Sequence, residues 1–179
     1  VGSPVAMSDL AATIAAGSDG LLFLPALSGA MAPRWIANAR GAFYGLTPFH
    51  GTAACARAVL EGCAFAMRDV IERLDELGVE TPRIRLSGGG ARSRVWAQMR
   101  ADISGRPVEV ASVADASPIG AAILAAAAVG LSTSVREAAE ALSGDIEVFE
   151  PDPTARETYD RSHRRYRTLF EALSPLHTD

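Results

Sequence analysis

The stretch RIRLSGGGARSRVW, residues 83–96, decides the fold of this 179-residue chain. Ile84 and Leu86 alternate with arginines and predict a short strand, and the apolar spacing after the three glycines predicts a helix over 93–104. Glycines between a strand and a helix let a ligand approach the backbone closely, and free N–H groups at a helix start favour an anion. The stretch therefore indicates either a tight turn alone or a phosphate-binding loop.

Strands and helices alternate on both sides of this stretch. The apolar patterns predict strands at residues 21–25, 41–46, 107–110 and 147–149. They predict further helices at residues 8–16, 52–77, 118–130, 134–142 and 154–173. This alternation indicates an α/β domain with a mainly parallel sheet and helices on its faces. A hydrophobic content of 49% is enough for one packed core over residues 1–179.

The sequence also predicts how some helices begin and which faces they bury. Three helix starts carry capping signals, namely Ser117 before Pro118, Ser134 with Glu137, and Thr154 with Glu157. Residues 119–130 are nearly all small and apolar, and they are expected to be buried and closely packed. Arg57 and Glu61 form an i,i+4 pair on the charged stripe of helix 52–77, which is expected to face solvent.

Charge and composition exclude several classes of function. The net charge of −4 and the pI of about 5.4 argue against a nucleic-acid partner and against an anionic membrane surface. The longest uncharged apolar run, Pro118 to Leu131, is shorter than the roughly 20 residues that span a bilayer. No secretory signal begins the chain, and no Cys/His spacing indicates a metal site. We therefore expect a cytoplasmic protein without nucleic-acid or membrane partners.

Two common nucleotide-binding motifs do not fit the glycine stretch. The chain contains no G-x-x-x-x-G-K-S/T sequence. The dinucleotide fingerprint G-x-G-x-x-G is only partly met, because Gly88 and Gly90 are followed by Ser93 in place of a third glycine. Glu109 stands about 20 residues further on, where an acid would bind a ribose. A nicotinamide-binding Rossmann module therefore stays open as an alternative.

The chain resembles the C-terminal lobe of FGGY carbohydrate kinases, most of all xylulose kinases, in five consecutive segments. These are FLPALSGAMAPRW, NARGAFYGLT, ARAVLEGCAFAMRD, LSGGGARSRVWAQMRADISGRPVEV and SPIGAAILAAAAVG. The resemblance covers residues 20–130, and the helices predicted over 134–173 are similar to the end of that lobe. Five matching segments in the same order are far more specific than the glycine stretch by itself.

The resemblance implies an actin-like, ribonuclease-H-like nucleotide-binding domain that takes part in phosphoryl transfer from ATP, with Mg²⁺, to a sugar hydroxyl. By the same resemblance Gly88, Gly89 and Gly90 would lie along the α-phosphate and ribose, with Ser93 near the adenine. Gly45 matches a position close to the nucleotide, and a plain glycine at a strand end is an equal interpretation.

The chain lacks two functional parts of the family pattern, the catalytic aspartate and a second phosphate loop. The family's catalytic aspartate, the general base, lies in an N-terminal lobe, so the resemblance assigns no catalytic residue here. The family's Gly-Thr-Ser-Gly phosphate loop is absent too. We therefore expect a partial domain that lacks its first strands and needs the N-terminal kinase lobe as a partner. Alone, it is expected to be inactive and to form a homo-oligomer through exposed sheet edges.

The sugar substrate is left open. Residues 28–31 read Ser-Gly-Ala-Met where xylulose kinases commonly have Ser-Gly-Glu-Arg, and APRW at 32–35 resembles glycerol kinases. Ala54 and Cys55 also replace the polar and large aliphatic residues of the family signature. The favoured substrate is xylulose or a related pentulose. The alternatives are glycerol or another polyol, and a non-catalytic actin-like fragment that binds no nucleotide.

Histidine and tryptophan side chains are further candidates for ligand contacts. His163 and His177 are interpreted as solvent-exposed, and His50 as a surface residue at a helix start. Trp35 is expected either to line the sugar cleft or to pack in the core, whereas Trp96 is expected to pack on the sheet.

Overall fold

The computed structural model describes residues 4–112, 116–142 and 144–177. Within them the chain forms the helices α1 (Pro4–Ala12), α2 (Thr52–Glu76), α3 (Arg94–Ser104), α4 (Ala116–Ala128), α5 (Val135–Leu142) and α6 (Arg156–Leu173). The strands are β1 (Leu22–Leu24), β2 (Ala42–Tyr44), β3 (Ile84–Leu86), β4 (Val108–Ala111) and β5 (Ile146–Phe149). No helix among these residues is both long enough and apolar enough to cross a membrane.

The strands form two sheets. β3 pairs in parallel with β4, and β5 pairs antiparallel on the other side of β4, so this sheet is mixed and not mainly parallel as predicted. β1 and β2 form a separate antiparallel pair. Within the described residues no strand pairs with the outer side of β3. The sheet therefore has an open edge next to the glycine stretch.

The core surrounds α2, which contacts α1, α3, α6 and β1. Phe65 of α2 and Tyr159 of α6 are 1% and 0% exposed, and they pack with the inner side chains of β1. Gly62 allows this close approach, because a Cβ atom at that position would collide with the carbonyl oxygen of Phe23. The tight contact between α2 and β1 therefore depends on a residue without a side chain.

The expectation that Arg57 and Glu61 face solvent is wrong, since they are 9% and 2% exposed. The Glu61 carboxylate accepts hydrogen bonds from the backbone N–H of Gly17 at 3.0 Å and from Ser18 Oγ at 2.8 Å. Arg57 donates to Glu61 at 2.8 Å, to the Tyr159 hydroxyl at 2.7 Å and to carbonyl groups at the end of α1. We call Arg57, Glu61 and Tyr159 the charged hub. α1 and α6 cover this face of α2, which is why it is buried.

The expectation that residues 119–130 are closely packed is also wrong. α4 contains no buried residue, and Leu124 and Val129 are 61% and 71% exposed. α4 contacts α5 but receives no second helix layer within the described residues. The helix begins at Ala116, so Ser117 lies inside it and is not its N-cap. No element among the described residues therefore buries this apolar helix.

Two other helix starts differ from the predictions. α1 begins at Pro4 and ends at Ala12, so it starts and ends earlier than the helix predicted over 8–16. Asp152 caps a 3₁₀ turn before α6 by accepting from the backbone N–H of Thr154 at 2.8 Å, which replaces the predicted capping box. Half of the capping box predicted for α5 is present, because Ser134 Oγ accepts from the backbone N–H of Glu137 at 3.1 Å. The Glu137 carboxylate accepts from the backbone N–H of Thr133 at 2.8 Å and not from that of Ser134.

Candidate functional site

The glycine turn joins β3 to α3, in the predicted order of strand, turn and helix. Gly88 has a φ of +75°, in the left-handed region that favours glycine. The backbone N–H groups of Gly89 and Gly90 make no backbone hydrogen bond within the described chain. Ser93 is the N-cap of α3, and its Oγ accepts from the backbone N–H of Trp96 at 3.1 Å. The turn therefore offers free amide donors at the start of a helix.

A cavity of about 340 Å³ lies over this turn. Its wall is mostly apolar and includes Met7, Leu60, Gly89, Gly90, Ser93 and Trp96. Residues of α1, α2 and α3 thus close three sides of one space beside the amide donors. Such a cavity has the chemistry to take a flat aromatic group next to an anionic one.

Trp96 forms one wall of the cavity. The prediction that it packs on the sheet is wrong. Its indole Nε1–H donates to the carbonyl of Leu60 on α2 at 3.2 Å, which fixes the ring between two helices. A Cβ atom at Gly90 would lie 3.0 Å from this ring, whereas nothing lies within 4 Å of a Cβ atom at Gly89. Gly89 therefore faces open space, and Gly90 packs against Trp96.

Gly45 lies at the end of β2, away from the cavity over the glycine turn. It has a φ of +89°, and a Cβ atom there would lie 3.1 Å from the carbonyl oxygen of Gly20. A close contact between neighbouring strand ends accounts for a glycine at this position. A nucleotide contact of Gly45 stays a prediction.

Glu109 is held by arginines and is not free to bind a ribose. Its carboxylate accepts hydrogen bonds from Arg85 at 2.8 Å and from Arg83 at 2.6 Å, and the residue is 5% exposed. The hydrogen bonds from Arg85 and then Arg83 lower the pKa of this carboxyl below its ordinary value. Glu109 therefore acts as the acceptor of a cross-strand ion pair.

The interpretation of His163 and His177 as exposed is wrong, because they are 3% and 8% exposed. His163 Nε2 lies 2.9 Å from Asp69 Oδ1, and Glu72 lies close to the same ring. These three side chains resemble a set of metal ligands in their spacing. However, Arg68 already donates to Glu72 at 2.8 Å. Arg167 of α6 also donates to Glu72, at 3.3 Å, so the cluster is part of a network of hydrogen bonds and arginine ion pairs between α2 and α6.

Trp35 is 71% exposed, which excludes the core position considered for it. Met31, in the same loop, is 70% exposed. The placement of Trp35 beside a sugar cleft stays a prediction.

Comparisons with known proteins agree on one family. The profile described as FGGY family of carbohydrate kinases, C-terminal domain, matches residues 3–129. Xylulose kinase of Staphylococcus epidermidis is 35% identical over 171 residues, which are 96% of this chain and 34% of that protein.

Solved structures agree with this match. The ligand-bound xylulose kinase of Lactobacillus acidophilus has a TM-score of 0.82 at 34% identity over 96% of this chain and 35% of that one. Plasmodium falciparum glycerol kinase with ADP has a TM-score of 0.78 at 27% identity over 95% of this chain and 34% of that one. The chain thus spans about a third of the length of these relatives. These matches confirm the predicted actin-like, ribonuclease-H-like fold, of which the chain holds a part, and they give no support to a Rossmann module.

Proposed function

Because this chain belongs to the FGGY family of carbohydrate kinases, we propose that it supplies the nucleotide side of an ATP-dependent sugar kinase. The observation that carries this proposal is the cavity over Gly89 and Gly90, where free amide donors lie beside an apolar wall. A related structure, Plasmodium falciparum glycerol kinase, contains ADP, which supports an adenine nucleotide as the ligand. The proposed cofactors are ATP and Mg²⁺.

Each part of the site has a proposed role in holding the nucleotide. The N–H groups of Gly88, Gly89 and Gly90 would bind phosphate oxygens at the start of α3. Ser93 Oγ accepts from Trp96, so its own hydroxyl proton is left to donate toward the ligand. Trp96 would give the adenine a flat wall. These contacts orient the nucleotide, which is the main task of a protein in phosphoryl transfer.

The chain's partner is proposed to be an N-terminal kinase lobe that carries the sugar site and the general base. The relatives are about three times as long as this chain, and the resemblance assigns no acid here to proton removal. Mg²⁺ would be held by the nucleotide phosphates and by acids of that lobe. The exposed apolar α4 and the open edge of β3 fit a chain that packs against further elements. Without them, we propose that the chain self-associates.

The proposed substrate is xylulose or a related pentulose. Xylulose kinases are similar over 96% of this chain in both sequence and structure, which supports a ketose as the acceptor. A polyol such as glycerol is the second candidate, because glycerol kinase of Plasmodium falciparum is similar over 95% of the chain.

The substitution Gly89→Val tests the nucleotide site. Nothing in the protein lies within 4 Å of a Cβ atom at Gly89, so a valine there fills space that belongs to a ligand and does not displace the fold. We expect calorimetry to show ADP binding to the wild-type chain, no NAD binding, and at least tenfold weaker ADP binding to Gly89→Val. Gly51→Val is the matched control, because a Cβ atom at Gly51 also meets nothing within 4 Å and lies outside the cavity.

The outcomes separate the proposed function from its alternatives. Loss of ADP binding in Gly89→Val but not in Gly51→Val supports the site. Binding of NAD by the wild-type chain in place of ADP would restore the Rossmann alternative. ADP binding that Gly89→Val leaves unchanged would contradict the cavity as the nucleotide site. A folded wild-type chain that binds neither nucleotide would favour the non-catalytic fragment.

A further inference from the structure

Arg100 of α3 is a partly buried arginine without an acidic partner. Its Nε atom is inaccessible to solvent and has no hydrogen-bond acceptor. None of the acids in the described part of the chain pairs with its guanidinium group, whose central carbon lies 3.8 Å from the centroid of the Trp96 ring. The side chain is therefore held by stacking on an aromatic face and not by an ion pair.

The guanidinium group of Arg100 lies directly behind the glycine turn. Side chains of a helix tilt toward its N-terminus, so Arg100 reaches back over Trp96. Its Nη1 atom is 3.6 Å from the position of a Cβ atom at Gly90. Gly90 and Trp96 line the cavity, whereas Arg100 does not. A positive charge thus lies behind the wall that the proposed nucleotide would contact.

No acidic side chain of the described residues compensates this charge. Burial lowers the pKa of Arg100, because removing a cation from water is unfavourable when no anion replaces the water. The neighbouring Cys63 does not supply that anion, since burial raises the pKa of its thiol and keeps it neutral. An anionic group bound at the amide donors of the turn would supply the missing negative charge.

We propose that Arg100 is a positioning residue that makes the cavity select nucleotides by the negative charge of their phosphates. This inference rests on the proposed nucleotide site. It adds a charge requirement to that site: Arg100 contributes to the binding of a nucleoside diphosphate or triphosphate and contributes little to the binding of the bare nucleoside. Because Arg100 acts from behind the wall, its effect is electrostatic and does not require contact with the ligand.

The test compares ADP with adenosine in Arg100→Met, Arg100→Lys and the wild-type chain. Methionine keeps a long side chain over Trp96 but removes the charge, and lysine keeps the charge. We expect Arg100→Met to weaken ADP binding about tenfold and adenosine binding less than about twofold, as for the loss of one nearby charge in a partly buried site. Arg100→Lys should restore most of the ADP affinity. The salt dependence of ADP binding should also be weaker in Arg100→Met.

Arg73→Met is the control, because Arg73 lies in the last turn of α2 outside the cavity, is 55% exposed and pairs with Glu76. It should leave the ratio of ADP to adenosine affinity unchanged. Equal weakening of ADP and adenosine by Arg100→Met would overturn the proposal, because that result indicates lost packing only. Unchanged ADP binding in Arg100→Met would overturn it as well. A wild-type chain that does not bind ADP would instead overturn the proposed function, and this inference with it.

Discussion

The two sides of this molecule differ in how completely their helices are covered. On the sealed side, which comprises α1, α2, α6 and β1, even the charged hub of Arg57, Glu61 and Tyr159 is buried. On the open side, which comprises α4, α5 and the free edge of β3, the apolar α4 has no buried residue. A charged face is thus buried and an apolar face is exposed. Burial here is decided by which elements cover a face and not by the composition of the face.

The difference follows from where the covering elements stand in the chain. α1 precedes α2 and α6 follows it, so both helices that seal the charged hub belong to this chain. About two thirds of the length of the relatives lies outside the part that this chain matches. Residues from that remainder are the proposed cover of the open side. The sealed side is therefore covered within this chain, whereas the open side has no cover among the described residues.

The largest expected effect comes from Arg57→Met on the sealed side. The substitution leaves the buried Glu61 carboxylate without its cation and removes the hydrogen bond to Tyr159. We expect urea denaturation to show a free energy of unfolding lower by about 3–5 kcal/mol, as for other broken buried ion pairs.

Arg94→Met is the control for this substitution. Arg94 pairs with Glu147 at the surface, with a side chain that is 73% exposed, and its loss should lower the free energy of unfolding by less than about 1 kcal/mol. Similar losses for the two variants would contradict the description of the charged hub as sealed.

Smaller effects on the free energy of unfolding, with opposite signs, are expected for Gly62→Ala in α2 and Gly120→Ala in α4. Gly62→Ala places a methyl group against the carbonyl oxygen of Phe23 and should lower the free energy of unfolding by about 1–3 kcal/mol. Gly120→Ala meets nothing within 4 Å and should raise it by about 0.5–1 kcal/mol, because alanine favours the helix. Thermal and urea unfolding of both variants measure the difference.

Gly120→Ala also tests whether α4 stays exposed in solution. A loss of stability in Gly120→Ala would show that α4 already packs closely on another element, for instance in a homo-oligomer. Repeating the measurement over a range of protein concentrations separates that case from packing within one chain.

The smallest expected effect is a change in pH dependence for Glu109→Gln. Arg85 and Arg83 lower the pKa of Glu109 in the folded protein below its ordinary 4.5. Ionised Glu109 therefore stabilises the fold above pH 4.5, and this contribution is lost as the pH falls through the lowered pKa. The effect is small because the side chains of Arg83 and Arg85 are 67% and 58% exposed. The free energy of unfolding, measured by denaturation between about pH 3 and 6, should depend less on pH in Glu109→Gln than in the wild-type chain.

Asp102 of α3 gives the matched comparison with opposite sign. Burial raises its pKa above the ordinary 3.8, so the folded state holds the proton more tightly than the unfolded state. Its contribution to stability therefore decreases as the pH rises from 3.8 through the raised pKa. Asp102→Asn should remove this decrease, whereas Glu109→Gln removes an increase. If both variants changed the pH dependence of the free energy of unfolding in the same direction, the assignment of opposite pKa shifts to Asp102 and Glu109 would be wrong.

Local signals predicted the elements around the glycine turn well. The helix predicted over 52–77 is observed over Thr52–Glu76, and Ser93 caps α3 next to a left-handed Gly88. Periodicity, caps and glycines act between residues that are close in the chain, so a sequence reports them directly. The strand, turn and helix that build the candidate site were predicted for this reason.

Features that depend on distant segments were not predictable in the same way. The charged stripe of α2 has the pattern of a solvated face, and only the arrival of α1 and α6 buries Arg57 and Glu61. Met7 closes the cavity over the glycine turn from a segment more than 80 residues upstream of Gly89, about the length of a small domain. No local pattern marked Met7 as a neighbour of the turn. Trp96 is close to the turn in sequence, but its position against α2 depends on the distant Leu60.

The hydrogen bond from Arg57 to Tyr159 also bears on biosynthesis, because it joins residues that are 102 positions apart. A ribosome releases α2 long before it has synthesised α6. During that interval Arg57 and Glu61 are hydrated surface charges, and nothing seals the apolar side chains beside them. This part of the fold therefore stays open until α6 emerges. This delay leaves α2 accessible to chaperones and proteases until α6 has been synthesised.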